Sequence, residues 1–264
     1  MAERAAAEQA AVVMMAWHLV ARHVRVYRRL PFVFLTGFLE PVFFLFSIGI
    51  GVGAMIPGFE VGGTLIPYAT YVAPAMLATS AMNGAVMDST FNIFHRLKYA
   101  KLYDALLATP MTTADVAVGE VTWSLIRGGI YATGFLGLMA AMGLVHSPLA
   151  LLALPACLLI GLAVGGVGMW LTTYMRSWQD FEFITLALMP MTLFSGTFFP
   201  ILGFPAPLRW LIEFTPLYRG VVLCRELTTG MPTVASGYSV IYLVALGVMG
   251  VLFARHRFDV LLRH

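Results

Sequence analysis

Apolar residues run in long blocks along this chain, and the blocks predict helices that cross a membrane. A spanning helix needs about 20 predominantly apolar residues. Blocks of sufficient length lie at Phe32–Ile56, Tyr68–Phe94, Thr113–Gly143, Leu149–Tyr174, Phe183–Pro200 and Ser236–Phe253. The pattern predicts an all-α integral membrane protein, with six transmembrane helices in residues 31–264 and a separate helix in residues 1–30.

The charge content supports a membrane location. Of the 264 residues, 60% are hydrophobic and only 11% are charged, whereas a soluble domain carries about 25% charged residues. If both termini are cytoplasmic, most Lys and Arg residues lie inside, and only Arg209, Arg219 and Arg225 lie outside. This asymmetry follows the positive-inside rule, so we expect both termini in the cytoplasm.

The N-terminal helix is predicted to be amphipathic. Its apolar stripe consists of Val13, Trp17, Val20, Val24 and Tyr27. Its basic stripe consists of His18, Arg22, Arg25 and Arg29. Two such stripes suit a helix that lies in the membrane interface. The alternative is a cytosolic helix packed on another domain.

A short basic segment, His95–Pro110, separates the second and third predicted spans. If residues 95–108 form one helix, its apolar face carries Tyr99, Leu102, Tyr103, Leu106 and Leu107. Its polar face carries Lys98, Lys101 and Asp104. Such a helix on the cytoplasmic side either contacts another protein or is an ordinary charged loop that obeys the positive-inside rule.

Ionisable residues inside predicted spans are candidates for function, because charge is costly in hydrocarbon. Glu40 either lines a functional site or reaches the membrane interface. Asp88 makes the inner half of the second span polar. Glu120 and Arg127 share a face of the third span, where they pair across that face, pair with another helix, or serve in transport. Asp115 lies near the start of the same helix, where the dipole favours an anion.

The remaining features predict packing and irregular structure. Gly161, Gly165 and Gly168 give the fourth span the small-residue spacing of close helix contacts. Residues 201–232 are too polar and too rich in proline to span, so we expect re-entrant short helices at the outer interface. Cys157 falls within a span and Cys224 in the outer segment, so we expect them at different depths and without a disulfide.

The sequence lacks the motifs that would supply energy or catalysis. Its only lysines, Lys98 and Lys101, are not part of a phosphate-binding G-x-x-x-x-G-K-[ST] loop. It contains no H-E-x-x-H and no G-x-S-x-G motif. No inverted repeat is evident, as a gradient-driven carrier would usually require. Energy is therefore expected to come from a separate protein, through the segment around Lys98–Asp104.

This plan resembles the membrane subunit of type-2 ABC exporters, the ABC-2 permeases. The segments Phe194–Pro200 (FSGTFFP) and Pro216–Arg225 (PLYRGVVLCR) are similar to the family's patterns. Further similarity, to the NodJ branch of lipo-oligosaccharide exporters and more distantly to daunorubicin-type drug permeases, lies in Phe38–Pro41 (FLEP), Ala81–Asn83 (AMN), Tyr103–Pro110 (YDALLATP), Gly119-Glu120 and Arg127-Gly128.

The resemblance implies an assembly in the bacterial inner membrane. Two permease copies would pair with two ATPase subunits, and those subunits would bind ATP and magnesium, so no cofactor is expected in this chain. The residues expected to couple to the ATPase are Arg96, Lys98, Tyr99, Lys101, Leu102, Tyr103 and Asp104. The residues expected on the bracing interface helix are Trp17, Arg22, Arg25 and Arg29.

The resemblance also implies a path for an amphiphilic substrate, such as a lipid-linked glycan, a glycolipid or a hydrophobic drug. The tentative path residues are Glu40, Phe43, Phe44, Asn83, Met191, Phe194 and Phe198. The family signature residues are Pro216, Arg219 and Arg225. Membrane lipid is an expected partner, whereas nucleic acid, a metal and a catalytic residue are not expected.

Two other classes of protein remain open from the residues alone. A self-sufficient secondary transporter or channel would maintain flux after the loss of every ATPase partner. A membrane-bound enzyme acting on lipid would need polar groups that converge at one depth.

Overall fold

The computed structural model describes residues 2–28, 39–56, 58–61 and 63–262. Two short strands, β1 (Phe59–Val61) and β2 (Thr64–Ile66), accompany the helices. The helices are α1 (Ala2–Tyr27), α2 (Leu39–Ile50), α3 (Tyr68–Met87), α4 (Leu102–Leu107), α5 (Thr113–Ala141), α6 (Ala153–Thr172), α7 (Phe181–Phe194), α8 (Ala206–Glu213), α9 (Pro216–Thr229) and α10 (Val234–Leu262).

Three helices are long and apolar enough to cross a membrane, counting only the described residues. They are Thr113–Ala141, Pro148–Thr172 and Val234–Leu262. Helix α7 has 14 residues, which corresponds to about 21 Å of helix. The start of the first predicted span and Arg29 lie outside the described residues. The total of six spans therefore stays a prediction.

A hairpin replaces part of the first predicted outer loop. Strands β1 and β2 are antiparallel, with Phe59 opposite Ile66 and Val61 opposite Thr64. The described residues are mostly helical, in agreement with the all-α prediction, and this short hairpin covers the end of α3. The Phe59 ring lies 5.0 Å from the Tyr71 ring. We call this end of the molecule the hairpin end, and the opposite end the α4 end.

Helix α3 forms the centre of the bundle and is buried around nearly its whole circumference. Beyond Met87 it continues helically to Tyr99, through π-helical turns at Asp88–Asn92 and His95–Tyr99. Helices α5, α6 and α9 surround it. The predicted small-residue packing of α6 is confirmed, since a Cβ at Gly168 would lie 2.6 Å from Oγ of Ser89.

The start of α5 is set by its capping residues. The Thr112 side chain accepts from the backbone of Asp115, and Asp115 accepts in return from the backbone N–H of Thr112 at 2.6 Å. This reciprocal pair satisfies backbone donors that a helix start leaves free. The prediction that Asp115 lies at the start of this helix is confirmed.

The predicted separation of the two cysteines is wrong. Cys157 on α6 and Cys224 on α9 are both buried, and their sulfur atoms lie 4.0 Å apart. The reason is that α9 packs directly on α6, as well as on α3 and α10.

The sulfur contact gives a direct test of this packing. Because a disulfide needs its sulfurs only about 2 Å closer, an added thiol oxidant should join Cys157 to Cys224 within one chain. Each thiol loses one proton and one electron to the oxidant. Mass spectrometry of alkylated peptides should find the cross-linked pair, and Cys157→Ser should abolish it. Persistent free alkylation of both thiols after oxidation would contradict the packing.

Candidate coupling site and cavity

The basic segment between α3 and α5 is not the predicted single helix at 95–108, but consists of the end of the α3 extension followed by the short helix α4. The extension ends at Tyr99, and α4 begins at Leu102. Between them Lys101 adopts φ 43°, ψ 36°, the left-handed region that a continuous helix cannot include. The chain therefore turns at Lys101.

The turn exposes a compact set of polar and aromatic side chains at the α4 end. Lys98, Lys101 and Asp104 are exposed. Tyr99 is 57% exposed, and its ring stacks on Trp178 at 5.7 Å. Leu102 is half-buried beneath this surface. The segment thus offers a charged and aromatic surface at the α4 end.

Two residues that we expected on this surface point into the protein. The Arg96 side chain is 11% exposed and Tyr103 is buried. Both reach Glu120 on α5, Arg96 through its guanidinium and Tyr103 through its hydroxyl. In this conformation Arg96 and Tyr103 are therefore not available to a partner protein, and that part of the expected contact surface is corrected.

Glu120 is the centre of a buried cluster that joins four helical segments. Its Oε2 accepts a hydrogen bond from Nη1 of Arg96, and its Oε1 accepts one from the Tyr103 hydroxyl at 3.0 Å. Nε2 of His23, on α1, lies 3.4 Å from Oε1. Burial raises the pKa of Tyr103 well above its ordinary value, so its hydroxyl stays a neutral donor.

A second buried ion pair lies deeper along α5. Nη1 of Arg127 donates to Oδ1 of Asp88 at 3.0 Å, and the same oxygen accepts from Asn92 at 2.5 Å. Arg127 also donates to the hydroxyls of Tyr131, at 3.0 Å, and Tyr27, at 3.2 Å. Of the predicted alternatives for Glu120 and Arg127, pairing with other helices is confirmed.

Helix α1 is connected to both ion pairs. His23 reaches Glu120, and Tyr27 reaches Arg127 and Asn92. The ring of Trp123 on α5 lies between them, 5.5 Å from the His23 ring and 5.1 Å from the Tyr27 ring. One helix thus contacts the two charged clusters that hold α3, α4 and α5 together.

The face that α1 buries differs from the predicted apolar stripe. Its described buried residues are Ala16, Leu19, Val20 and His23. These small and branched side chains fit against Gly119 of α5, where a Cβ would lie 2.8 Å from Leu19. Trp17 is 62% exposed, and Arg22 and Arg25 are exposed. The predicted apolar stripe included both Trp17 and Val20, but only Val20 is buried against the rest of the protein.

A cavity of about 360 Å³ lies among α2, α3 and α7. It brings together four of the tentative path residues, Glu40, Phe44, Asn83 and Phe198. The rings of Phe44 and Phe198 lie 6.3 Å apart. Met191 lines a different cavity, of about 570 Å³, beside α6 and α10. Phe43 and Phe194 are exposed and line neither cavity.

Comparison with known proteins identifies the family. Residues 15–229 match the model of the ABC-2 type transporter family. The chain belongs to the ABC-2 type transporter family. It is 34% identical over 195 residues to nodulation protein J of Rhizobium leguminosarum bv. viciae, with 73% of each chain covered. It is 32% identical to nodulation protein J of Sinorhizobium fredii, with 81% of this chain and 79% of the relative covered.

In this ABC-2 chain, the three signature residues have different surroundings. Pro216 is the first residue of α9, and Nε of Arg219 donates to the Glu213 carbonyl at 2.8 Å. Arg225, which was expected in an outer segment, packs inside the hairpin end. Its guanidinium lies 3.8 Å from the Tyr71 ring centre and donates to the Gly196 carbonyl at 2.8 Å.

Sequence reasoning missed the donors around the buried carboxylates. His23, Asn92 and the neighbouring ring of Trp123 were not identified as candidates. The spacing of Glu120 and Arg127 was the one available signal, since it placed two charges on one face of an apolar helix. Their partners come from α1, α3 and α4. A local sequence pattern cannot predict partners that lie so far away along the chain.

Proposed function

We propose that this ABC-2 chain is the permease subunit of an exporter that moves an amphiphilic substrate out of the cytoplasm or the inner leaflet. A separate ATPase subunit would bind ATP and magnesium and supply the energy. The observation that carries the proposal is the Glu120 cluster, because it connects the exposed α4 segment to α5 and α1. A displacement of α4 by a partner would be transmitted to the bundle through buried charge-assisted contacts.

The exposed surface of the α4 segment is the proposed ATPase contact. Lys98, Lys101 and Asp104 would make polar contacts with the ATPase there, and the Tyr99 ring would contact it at the edge of this surface. Arg96 and Tyr103 would position the segment from inside. Trp17, Arg22 and Arg25 would hold α1 in the interface of the bacterial inner membrane, with both termini cytoplasmic.

The cavity among α2, α3 and α7 is the proposed substrate site. Apolar walls combined with a few polar groups are typical of sites for amphiphilic ligands. A second permease copy would complete the path, because α2 and α7 expose many apolar side chains. The relatives named nodulation protein J come from nodulating bacteria, and a lipo-oligosaccharide is a candidate cargo on that similarity.

The alternative of an ion-coupled carrier or lipid enzyme receives less support from the buried charges. Both carboxylate oxygens of Glu120 already accept from donors, and Arg127 is engaged by Asp88 and two tyrosines. A coupling ion or a reacting lipid would have to displace these partners. The arrangement suits a structural connection between helices better than a site that binds and releases an ion.

The first experiment is purification of the detergent-solubilised chain from its native membrane, followed by an ATPase assay. We expect a stoichiometric ATPase subunit to co-purify, with vanadate-sensitive activity. A chain that purifies alone, yet retains transport in vesicles without ATP, would overturn the proposal in favour of a self-sufficient carrier or channel.

Charge reversal of Lys98 and Lys101 tests the contact surface. The double variant Lys98→Glu with Lys101→Glu should retain its fold, because both side chains are exposed, but should lose most ATP-driven transport through charge repulsion at the contact. Transport and ATP hydrolysis are measured on the reconstituted complex. Arg255→Glu, an exposed reversal on α10, serves as the control. Normal transport by the double variant would show that the contact lies elsewhere.

A further inference from the structure

Hydrogen-bond acceptors outnumber free donors among the polar side chains of the cavity among α2, α3 and α7. The polar side chains in its lining are Glu40, Thr79, Asn83, Thr185 and Thr192. No Lys, Arg or His lines it among the described residues. A carboxylate without its proton is an acceptor only, and Glu40 is an exposed residue that lines the cavity.

Two of the threonines cannot donate into the cavity in this arrangement. The Thr79 hydroxyl donates to the Ala75 carbonyl at 2.9 Å, and the Thr185 hydroxyl donates to the Phe181 carbonyl at 3.2 Å. Each hydroxyl has one proton, so only its lone pairs remain for a ligand. Asn83 and Thr192 are left as the side-chain donors of the lining.

The carboxylate has no compensating cation within the described part of the chain. The ion pairs found there involve Glu120, Asp88 and Glu213, not Glu40. A carboxylate in an apolar surrounding is costly unless it is solvated or paired. A ligand that brings hydrogen-bond donors without negative charge would pair with the Glu40 carboxylate, and an anionic ligand would be repelled by it.

We propose that Glu40 is a specificity-determining residue that admits an uncharged, hydroxyl-bearing headgroup and rejects an anionic one. This inference rests on the proposed function, because it treats the cavity as the substrate site. The acceptors lie on three helices, and Thr79 and Asn83 are one helical turn apart, so a headgroup with donors in several directions fits them. A sugar satisfies this geometry, and the Phe44 and Phe198 rings offer apolar surface for its attached chain.

The inference separates the candidate cargoes. A glycolipid with neutral sugars near the cavity would bind, whereas a glycan joined to its lipid through phosphate would place an anion beside Glu40. A single ammonium group would satisfy the charge of Glu40 but would leave the acceptors on the other two helices without donors.

Three amphiphiles with the same eight-carbon chain test the proposal on the purified complex of permease and ATPase. They are octyl glucoside, octyl phosphate and octyltrimethylammonium, and binding is measured by calorimetry. We expect octyl glucoside to bind the wild-type complex at least about tenfold more tightly than the other two. Glu40→Gln should bring octyl phosphate to within about threefold of octyl glucoside.

The controls separate this inference from the proposed function. Glu60→Gln, which removes a carboxylate from the exposed hairpin, should leave the tenfold preference unchanged. Thr185→Val should weaken octyl glucoside without improving octyl phosphate. Equal binding of octyl phosphate to the wild type, an unchanged preference in Glu40→Gln, or tightest binding of octyltrimethylammonium would overturn the inference. In each case co-purification of an active ATPase would leave the exporter function standing.

Discussion

Replacing Glu120 with alanine should lower the free energy of unfolding by about 3–5 kcal/mol, the usual cost of removing one partner from a buried ion pair. The substitution leaves the guanidinium of Arg96 buried without its carboxylate. It also removes the acceptor of the Tyr103 hydroxyl and the neighbour of His23. Denaturant titration of the detergent-solubilised chain measures this loss.

An exposed ion pair supplies the control for Glu120. Glu213 and Arg219 are 3.7 Å apart, with side chains 44% and 24% exposed. Because water screens such pairs, Glu213→Ala should cost less than about 1 kcal/mol. Similar losses for Glu120→Ala and Glu213→Ala would show that the Glu120 cluster is not buried in the protein as it exists in detergent.

A double variant separates the stability of the cluster from its role in coupling. Glu120→Leu combined with Arg96→Met removes both charges, and apolar replacement of a buried pair is often neutral or stabilising. We expect the double variant to regain most of the stability lost in Glu120→Ala. The amount of substrate transported per ATP hydrolysed should be lower in the double variant than in the wild type, because the contact between Tyr103 of α4 and Glu120 of α5 is lost. A normal ratio would assign the cluster a purely structural role.

Replacing Gly250 with valine should destabilise the bundle by about 3 kcal/mol, the upper part of the range for overpacking. A Cβ at this position would lie 2.5 Å from the carbonyl carbon of Gly166 and 2.6 Å from the nitrogen of Val167. Both are backbone atoms of α6, so no side-chain rotation can relieve the contact. Helices α6 and α10 would have to separate along the crossing where they are closest.

Gly237, also on α10, provides the matched control. A Cβ there has no heavy atom within 4 Å, so Gly237→Val tests helix propensity without the steric contact. It should be neutral or slightly stabilising, since glycine is among the poorest helix formers. Thermal unfolding of the two variants in the same detergent makes the comparison. Equal midpoints would contradict the close crossing at Gly250.

The outcome for individual residues shows what local patterns can predict in a membrane chain. Asp115 was placed correctly because capping depends on residues three positions apart. The glycines of α6 were read correctly because small residues at helical spacing permit close approach. Helical periodicity placed Tyr103 on the apolar face, in agreement with its burial. The coupling role of Arg96 and Tyr103 was expected from the family resemblance alone, which does not show that both side chains reach Glu120.

The amino-acid sequence by itself determined the membrane class, the predominance of helices and the absence of a phosphate-binding loop. These follow from apolar length, charge content and short motifs, all of which are local. The tertiary structure alone decided which apolar faces meet protein, since lipid and a protein core favour the same side chains. It also decided the partners of Glu120, Asp88 and Arg225, because a buried charge requires a partner but its own sequence neighbourhood does not specify which one.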